Sequence, residues 1–360
     1  MRLVFIKKKF NPYGGAEKYL LTLIHHLKKE KEDIHIISAD WPEIKGITQH
    51  FVNHISWDST LSTWSFNKKA SHMVDALKPD LTISFERTTC QDIYRAGDGC
   101  HQEWLAQRKK SSSLFKKLSF YFSPLHRTLL HFDKKIFTKT PYIIANSHYV
   151  KDQIIRYYKV LDSKIQVLYN GVDTHYFTPT INKEVRPFTL LFIGSDFERK
   201  GLEVVLKSLK LLPSNIKLNV VGKGNIHKYK KIAQEENVLE RVTFLGPQKE
   251  ISHIYHSGHI LVLPTIYDPL SNVVLEALAS GLPVITSKNN GASEMIENGK
   301  EGYILNDHLS HEELAQKMKQ VINNLSSLSV NARKKSEYFS LEKKAQEFQS
   351  FINKIKYIHT

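Results

Sequence analysis

Twice along this chain, short unbroken runs of branched apolar residues alternate with stretches of helical periodicity, and that alternation narrows the possible folds more than any other feature. The first series opens with Leu3-Val4-Phe5-Ile6 and continues through Ile34-His35-Ile36-Ile37, Leu81-Thr82-Ile83 and Tyr142-Ile143-Ile144. Between the first two lies a helical pattern from about residue 16 to 27, with Leu20, Leu23, Ile24 and Leu27 on one face. The runs are continuous, not alternating, as parallel strands covered on both faces require. A second series begins near residue 188 with Thr189-Leu190-Leu191-Phe192-Ile193. Leu218-Asn219-Val220-Val221, Val242-Thr243-Phe244, Ile260-Leu261-Val262-Leu263 and Val284-Ile285 follow. Helical patterns at about 201–211, 228–236, 250–257 and 272–280 separate these runs. Repeated strand–helix units predict a parallel sheet with right-handed crossovers, and two series predict two doubly wound α/β domains.

The chain of 360 residues has room for two full cores. The break is expected between Pro179 and Pro187, where charge, Pro and Asn cluster. The amphipathic stretch from about Leu341 to Ile355 is followed by no strand, so it must dock on something already formed. Two cysteines, Cys90 and Cys100, exclude a disulfide framework and a four-cysteine zinc site, and fit a reducing compartment. The N-terminal apolar run is too short for a secretion signal, and no apolar stretch is long enough to span a bilayer. The formal charge of +15 suits a solvated basic surface or an anionic partner: nucleic acid, anionic lipid or a phosphorylated substrate.

Residues 102–139 differ from the rest. They hold nine Lys or Arg against two acids, Glu103 and Asp133, interleaved with Trp104, Leu105, Phe115, Phe120, Tyr121, Phe122 and Phe132. That composition fits an interfacial segment lying on an anionic membrane, with Trp104, Arg108, Lys109, Lys110, Phe115, Lys116 and Lys117 in contact. It fits equally a core helix pair with a basic outer face. A single-stranded nucleic-acid groove also uses cations and aromatics, but no nucleic-acid fold motif accompanies this one.

Two features of the second series carry chemistry. Gly194-Ser195-Asp196-Phe197-Glu198-Arg199-Lys200-Gly201 lies between a strand and a helix, where open α/β sheets bind ligands. Arg199 and Lys200 at a helix start would hold a diphosphate; the same loop reads otherwise as surface. Asp268-Pro269-Leu270-Ser271-Asn272-Val273-Val274-Leu275-Glu276 follows the strand ending at Leu263, with Ser271 or Asn272 expected to cap the next helix. Asp268 and Glu276 would accept hydrogen bonds from sugar or ribose hydroxyls; Glu276 alone reads as a solvated helix residue.

Together these two features resemble family 4 retaining glycosyltransferases of the GT-B fold. The first is similar to that family's G-S-D-F-x-R-K-G loop and the second to its E-x7-E motif, with Asp268 where the first Glu usually stands. Gly14-Gly15-Ala16-Glu17, Tyr169-Asn170-Gly171-Val172-Asp173, Val220-Val221-Gly222, Phe244-Leu245-Gly246 and Gly291-Ala292-Ser293-Glu294-Met295-Ile296 match further elements, and the match covers nearly the whole chain. Arg95-Ala96-Gly97-Asp98-Gly99-Cys100 resembles a stretch of the family's lipopolysaccharide core glucosyltransferases, in which the basic segment that follows is implicated in membrane contact.

The resemblance implies two Rossmann-like domains facing a cleft. Residues 1–180 would bind the acceptor, 181–338 the nucleotide sugar, and 339–360 would form a helix crossing back to the first domain. It implies transfer of a hexose, glucose by this likeness, from a UDP-sugar to a lipid-linked saccharide, at the cytoplasmic face of the membrane. Arg199 and Lys200 would clamp the donor diphosphate in place of a metal, so no cofactor is expected. Asp196-Phe197-Glu198 has the spacing of a D-x-D metal motif but lies inside the phosphate loop. Glu276 would hold the ribose, and Asp268 the transferred sugar. Gly14, Gly15, Gly194, Ser195, Gly222, Asn272 and Val273 would line the donor. Asp98 would sit on the acceptor side near the anomeric carbon, and Glu17 would either touch the acceptor or be a solvated first-turn carboxylate. Retention would proceed by front-face attack, the leaving phosphate taking the acceptor proton, and reaction would require the domains to close. Two other readings share some of these features: a nucleotide-sugar epimerase of the same fold, and a nucleic-acid-binding protein driven by charge. Within the transferase reading, the acceptor is either lipopolysaccharide core or a capsule or glycolipid precursor.

Overall fold

The computed structural model describes residues 1–10, 15–29, 32–110, 119–120, 122–180 and 187–359. They form two compact units: Met1–Tyr169 with Lys344–Thr360, and Asn170–Lys343. The division falls after Tyr169, not in the Pro179–Pro187 stretch, of which 181–186 lie outside the described residues. The reason is backbone pairing. Val172 N donates to Phe339 O at 2.8 Å, and Leu341 N donates to Val172 O at 3.0 Å. Arg333 Nη1 donates to the carbonyls of Thr174, Phe177 and Ala279, which binds the segment after Tyr169 into the second unit.

The first unit holds strands β1 (Arg2–Ile6), β2 (Asp33–Ser38), β3 (Thr48–Phe51), β4 (Leu81–Ser84), β5 (Ile93–Ala96), β6 (Tyr142–Ala145) and β7 (Ile165–Val167). All pair in parallel, in the order β3-β2-β1-β4-β5-β6-β7, so the strand order reverses between β1 and β4. Its helices are α1 (Gly15–Lys29), α2 (Ser59–Leu77), α3 (His101–Lys110), α4 (Pro124–Lys139) and α5 (His148–Tyr158). Leu3, Val4, Phe5 and Ile6 of the interior strand β1 have no solvent exposure, as their unbroken apolar run requires.

The second unit holds β8 (Thr189–Ile193), β9 (Lys217–Val221), β10 (Val242–Gly246), β11 (Ile260–Leu263), β12 (Val284–Ser287) and β13 (Gly302–Leu305), in the parallel order β10-β9-β8-β11-β12-β13. Here the order reverses between β8 and β11. Helices α6 (Phe197–Lys200), α7 (Leu202–Leu209), α8 (Ile226–Glu235), α9 (Ser252–Ser257), α10 (Asn272–Ala279), α11 (His311–Asn323) and α12 (Leu325–Ser336) complete it. Helix α13 (Leu341–His359) leaves the second unit at Lys343 and packs on the first. It buries Phe348, Ile352 and Ile355, places Gln349 Oε1 2.8 Å from His26 Nε2, and pairs Lys356 with Glu32.

The basic segment resolves into separate parts. Phe132, Ile136 and Phe137 of α4 belong to the core of the first unit with Tyr94, Ile143 and Ile154, and Leu105 of α3 is buried too. Phe132 and Leu105 therefore do not form an outward apolar face. Trp104 stacks on His101 with centroids 5.3 Å apart, and the Arg108 guanidinium lies over the Trp104 ring at 5.1 Å. Lys109 is half-buried, Lys110 is exposed, and Phe115, Lys116 and Lys117 lie outside the described residues. No helix of the described residues is long and apolar enough to cross a membrane.

Candidate active site

The chain leaves β8 through Gly194, Ser195 and Asp196. Asp196 takes a left-handed backbone (φ 62°), and its side chain accepts from Arg199 N at 3.3 Å, capping the single turn of α6. The acid of the apparent D-x-D motif is therefore a helix cap, and Ser195 beside it is exposed. Arg199 and Lys200 close this turn instead of opening the helix that follows, because Gly201 (φ 83°) separates it from α7. At Gly201 a Cβ would meet Pro264 O at 2.3 Å, and at Gly222 a Cβ would meet Gly194 O at 2.0 Å. Only glycine allows these backbones to approach so closely. The stem of Lys200 runs over Gly194, which brings the ammonium across to the chain leaving β11.

There both cations meet one carboxylate. Lys200 Nζ pairs with Asp268 Oδ2 and lies 3.4 Å from Ser271 Oγ. Arg199 Nη1 donates to Tyr267 O at 3.0 Å and to Asp268 Oδ2 at 3.4 Å. The side chains of Lys200 and Asp268 are only 7% and 10% exposed. Burial would raise the Asp268 carboxyl, but Lys200 and then Arg199 outweigh it and hold it below the ordinary carboxylate range. Burial, with repulsion from Arg199, lowers the Lys200 ammonium against the pull of Asp268. The cluster stands at the carboxyl ends of β8 and β11, the two strands that flank the reversal of strand order.

Helix α10 starts beside it. Ser271 occupies the cap position without a side-chain cap bond, since its hydroxyl faces Lys200. Asn272 does not cap either: its Oδ1 accepts from Asn170 Nδ2 at 2.6 Å. Val273 is half-buried in the first turn. Glu276, one turn on, is not a solvated residue: its Oε2 accepts from the buried Tyr255 hydroxyl at 2.6 Å.

The first unit has its own polar cluster at its strand ends. Lys7, after β1, lies 3.6 Å from Glu17 Oε1 and 3.9 Å from Glu86 Oε2. Glu17 is buried and paired, not a solvated first-turn carboxylate. Asp98, in the turn after β5, is 63% exposed and accepts from Arg87 Nη1 at 3.1 Å. Gly15 begins α1, and Gly14 lies outside the described residues. Among the described residues, no three His, Cys, Asp or Glu side chains stand together in a way that could hold a metal ion.

Sequence patterns find Arg199, Lys200, Asp268 and Glu276 because each follows a strand end within a short motif. Lys7 carried a similar signal, standing directly after the first strand. Arg87, Asp133 and Tyr255 carried none, because their partners lie 11 to 46 residues away in the chain.

Two doubly wound parallel units, with a cation–carboxylate cluster at the strand reversal of the second, define the GT-B class of glycosyltransferase. Residues 13–176 match the model of Glycosyltransferase Family 4, and residues 177–338 that of Glycosyl transferases group 1. The chain belongs to this glycosyltransferase family and is a transferase. It is 23% identical to the lipopolysaccharide glucosyltransferase WaaG of Escherichia coli over 353 residues, covering 89% of this chain and 90% of that protein. It is 26% identical to the capsular polysaccharide biosynthesis glycosyltransferase CapM of Staphylococcus aureus, covering 92% of each. The crystal structure of WaaG superposes with a TM-score of 0.83 at 20% identity, over 97% of this chain and 99% of that one. Anabaena HepE in complex with UDP and glucose superposes with a TM-score of 0.77 at 17% identity, over 98% and 99%.

Proposed function

We propose that this protein is a retaining, metal-independent hexosyltransferase that moves glucose from UDP-glucose to a lipid-linked saccharide such as the lipopolysaccharide inner core. The observation that carries the reading is the convergence of Arg199 and Lys200 on Asp268 at the strand reversal of the second unit. Two fixed cations there, beside the uncapped start of α10, suit a diphosphate. Arg199 and Lys200 hold the phosphates and stabilise the charge that develops as UDP departs. Gly194, Ser195, Gly222 and the amides of Asn272 and Val273 line the donor. Glu276, steadied by Tyr255, accepts from the ribose hydroxyls, and Asp268 accepts from hydroxyls of the transferred sugar. Asp98, with Glu17 as a second candidate, serves the acceptor.

The bond from the anomeric carbon to the phosphate oxygen breaks as the bond to the acceptor oxygen forms on the same face. The acceptor proton passes to the leaving phosphate oxygen, so no protein nucleophile is needed. UDP and glucose as donor components are supported by the HepE complexes, which contain UDP, glucose and UDP-glucose. The lipid-linked acceptor is supported by the likeness to WaaG over most of both chains. Similarity to CapM over 92% of each chain favours a second reading, with a capsule precursor as acceptor.

We place the enzyme on the cytoplasmic face of the membrane, held by an anionic surface. The basic Arg108, Lys109 and Lys110 support this, as does Trp57, 82% exposed just ahead of α2. The test is a screen of nucleotide sugars for thermal stabilisation of the protein, followed by assays of transfer to extracted lipopolysaccharide cores and to capsule precursors. UDP-glucose is expected to stabilise most and to be consumed with core acceptors, giving an α-linked product. Stabilisation by no nucleotide sugar, or epimerisation of the donor without acceptor, contradicts the reading.

A further inference from the structure

Three charged side chains of the first unit form a chain that runs from its core to its surface and ends on Asp98. Asp133, on α4, has a fully buried side chain. Its Oδ1 accepts from Arg87 Nε at 2.8 Å, and its Oδ2 accepts from the backbone N–H of His101 at 2.8 Å. Arg87, in the turn after β4, is 11% exposed, and its Nη1 donates to Asp98 Oδ2 at 3.1 Å. His101 is the first residue of α3, the helix that follows Asp98. One buried carboxylate therefore ties down both the partner of Asp98 and the chain just beyond it. The turn itself is fixed on its other side. Asn146 Nδ2 donates to Gly97 O at 3.2 Å, and Gly99 takes φ 68°, a conformation that favours glycine.

Pairing a buried carboxylate requires only one face of a guanidinium. The second face of Arg87 is turned outward, onto an exposed carboxylate that would otherwise sample several rotamers. A planar fork gripped at its Nε edge transmits its orientation to whatever its Nη atoms hold. We infer that Arg87, locked by Asp133, is a positioning residue that holds the Asp98 carboxylate in one orientation for its work on the acceptor. The inference rests on the acceptor-side role proposed for Asp98.

The groups around Asp98 are Lys7 after β1, Glu86 and Arg87 after β4, Tyr94 and Arg95 of β5, Glu17 of α1 beyond Lys7, and Asp133 of α4. The surrounding protein raises the Asp98 carboxyl. Arg87 first, then Lys7 and Arg95, outweigh that and hold it below the ordinary range. A reaction that needs the ionised carboxylate slows as pH falls through this pKa. Without Arg87 the pKa rises, so the acid limb of the rate profile moves to higher pH.

The test compares Arg87→Gln, Arg87→Lys, Asp98→Asn and the double variant Arg87→Gln/Asp98→Asn in the full chain. It reads kcat and KM against pH, with stabilisation by UDP as a separate measure of an intact second unit. Arg87→Gln is expected to lower kcat by roughly tenfold or more with donor KM unchanged, and to raise the acid limb by about one pH unit. Arg87→Lys should restore part of both. In the Asp98→Asn background the Arg87 change should add almost nothing, because the two act as one unit. An unmoved acid limb, or fully additive losses, overturns the inference while leaving the Asp98 role intact. Full kcat in Asp98→Asn overturns that role and the inference with it. Should Arg87→Gln fail to fold, Arg87→Lys decides: an unshifted limb in that variant counts against positioning.

Discussion

At the residue scale, the proposed donor site turns on a single short carboxylate. Asp268 meets both Lys200 and Arg199 through its Oδ2. Removing it strands a buried ammonium next to a guanidinium. Asp268→Asn is therefore expected to destabilise the protein by about 3–5 kcal/mol at neutral pH, since breaking one side of a buried pair leaves an uncompensated charge. The sign with pH follows from the depressed Asp268 carboxyl. Such a group contributes stability above its unfolded pKa of about 3.9, and loses that contribution as pH falls through its folded value. The gap in melting temperature between wild type and Asp268→Asn should be constant above about pH 5 and narrow below about pH 4. A gap that widens on acidification contradicts the pairing. Arg199, Lys200 and Asp268 were legible in the sequence because strand ends announce them. The cap role of Asp196 and the burial of Glu17 were not legible, since one depends on a left-handed backbone torsion and the other on how α1 folds back over Lys7 at the end of β1.

Among the elements, the long continuous strands were legible and the short or polar ones were not. β1, β8 and β11 carry the unbroken apolar runs Leu3–Ile6, Leu190–Ile193 and Ile260–Leu263, whereas β3 reads Thr-Gln-His-Phe and β7 spans only three residues, so neither stands out from a loop. β5 carries Arg95 in its centre; that arginine is buried against the rings of Tyr19 and Phe85, a contact no local pattern signals. The basic segment was legible only in part. Composition does not say which face of α4 turns inward, and the structure turns Phe132, Ile136 and Phe137 into the core. The amphipathic pattern of α13 did identify a docking helix, and its anchor is Phe348, fully buried. Phe348→Ala should cost about 3–5 kcal/mol in urea unfolding, the usual penalty for emptying an aromatic site in a core. A cost under about 1 kcal/mol would mean that the helix is a loosely held appendage.

For the whole molecule, net charge bears on the membrane contact proposed above. The net charge is +15, and the hold on lipid proposed above is electrostatic, carried by the basic surface. Binding to vesicles containing anionic lipid should be strong at low salt and fall steeply as salt rises past the physiological range, because each cation contributes about 1 kcal/mol that screening removes. Equal binding to neutral vesicles would contradict an electrostatic hold. The two-unit α/β plan was legible from the doubled strand–helix series. The point of division was not, because it is set by hydrogen bonds from Val172, Arg333 and Leu341 across the second unit. In the proposed reaction, Arg199 and Lys200 drive the departure of the nucleotide diphosphate. The most direct test of that role is steady-state transfer from UDP-glucose in excess EDTA, by wild type and by Lys200→Ala. Wild type should keep its full rate, and the variant's kcat should fall by about 10²–10³-fold with little change in donor KM. A wild-type enzyme silenced by EDTA, or a Lys200→Ala enzyme that turns over normally, would contradict that role.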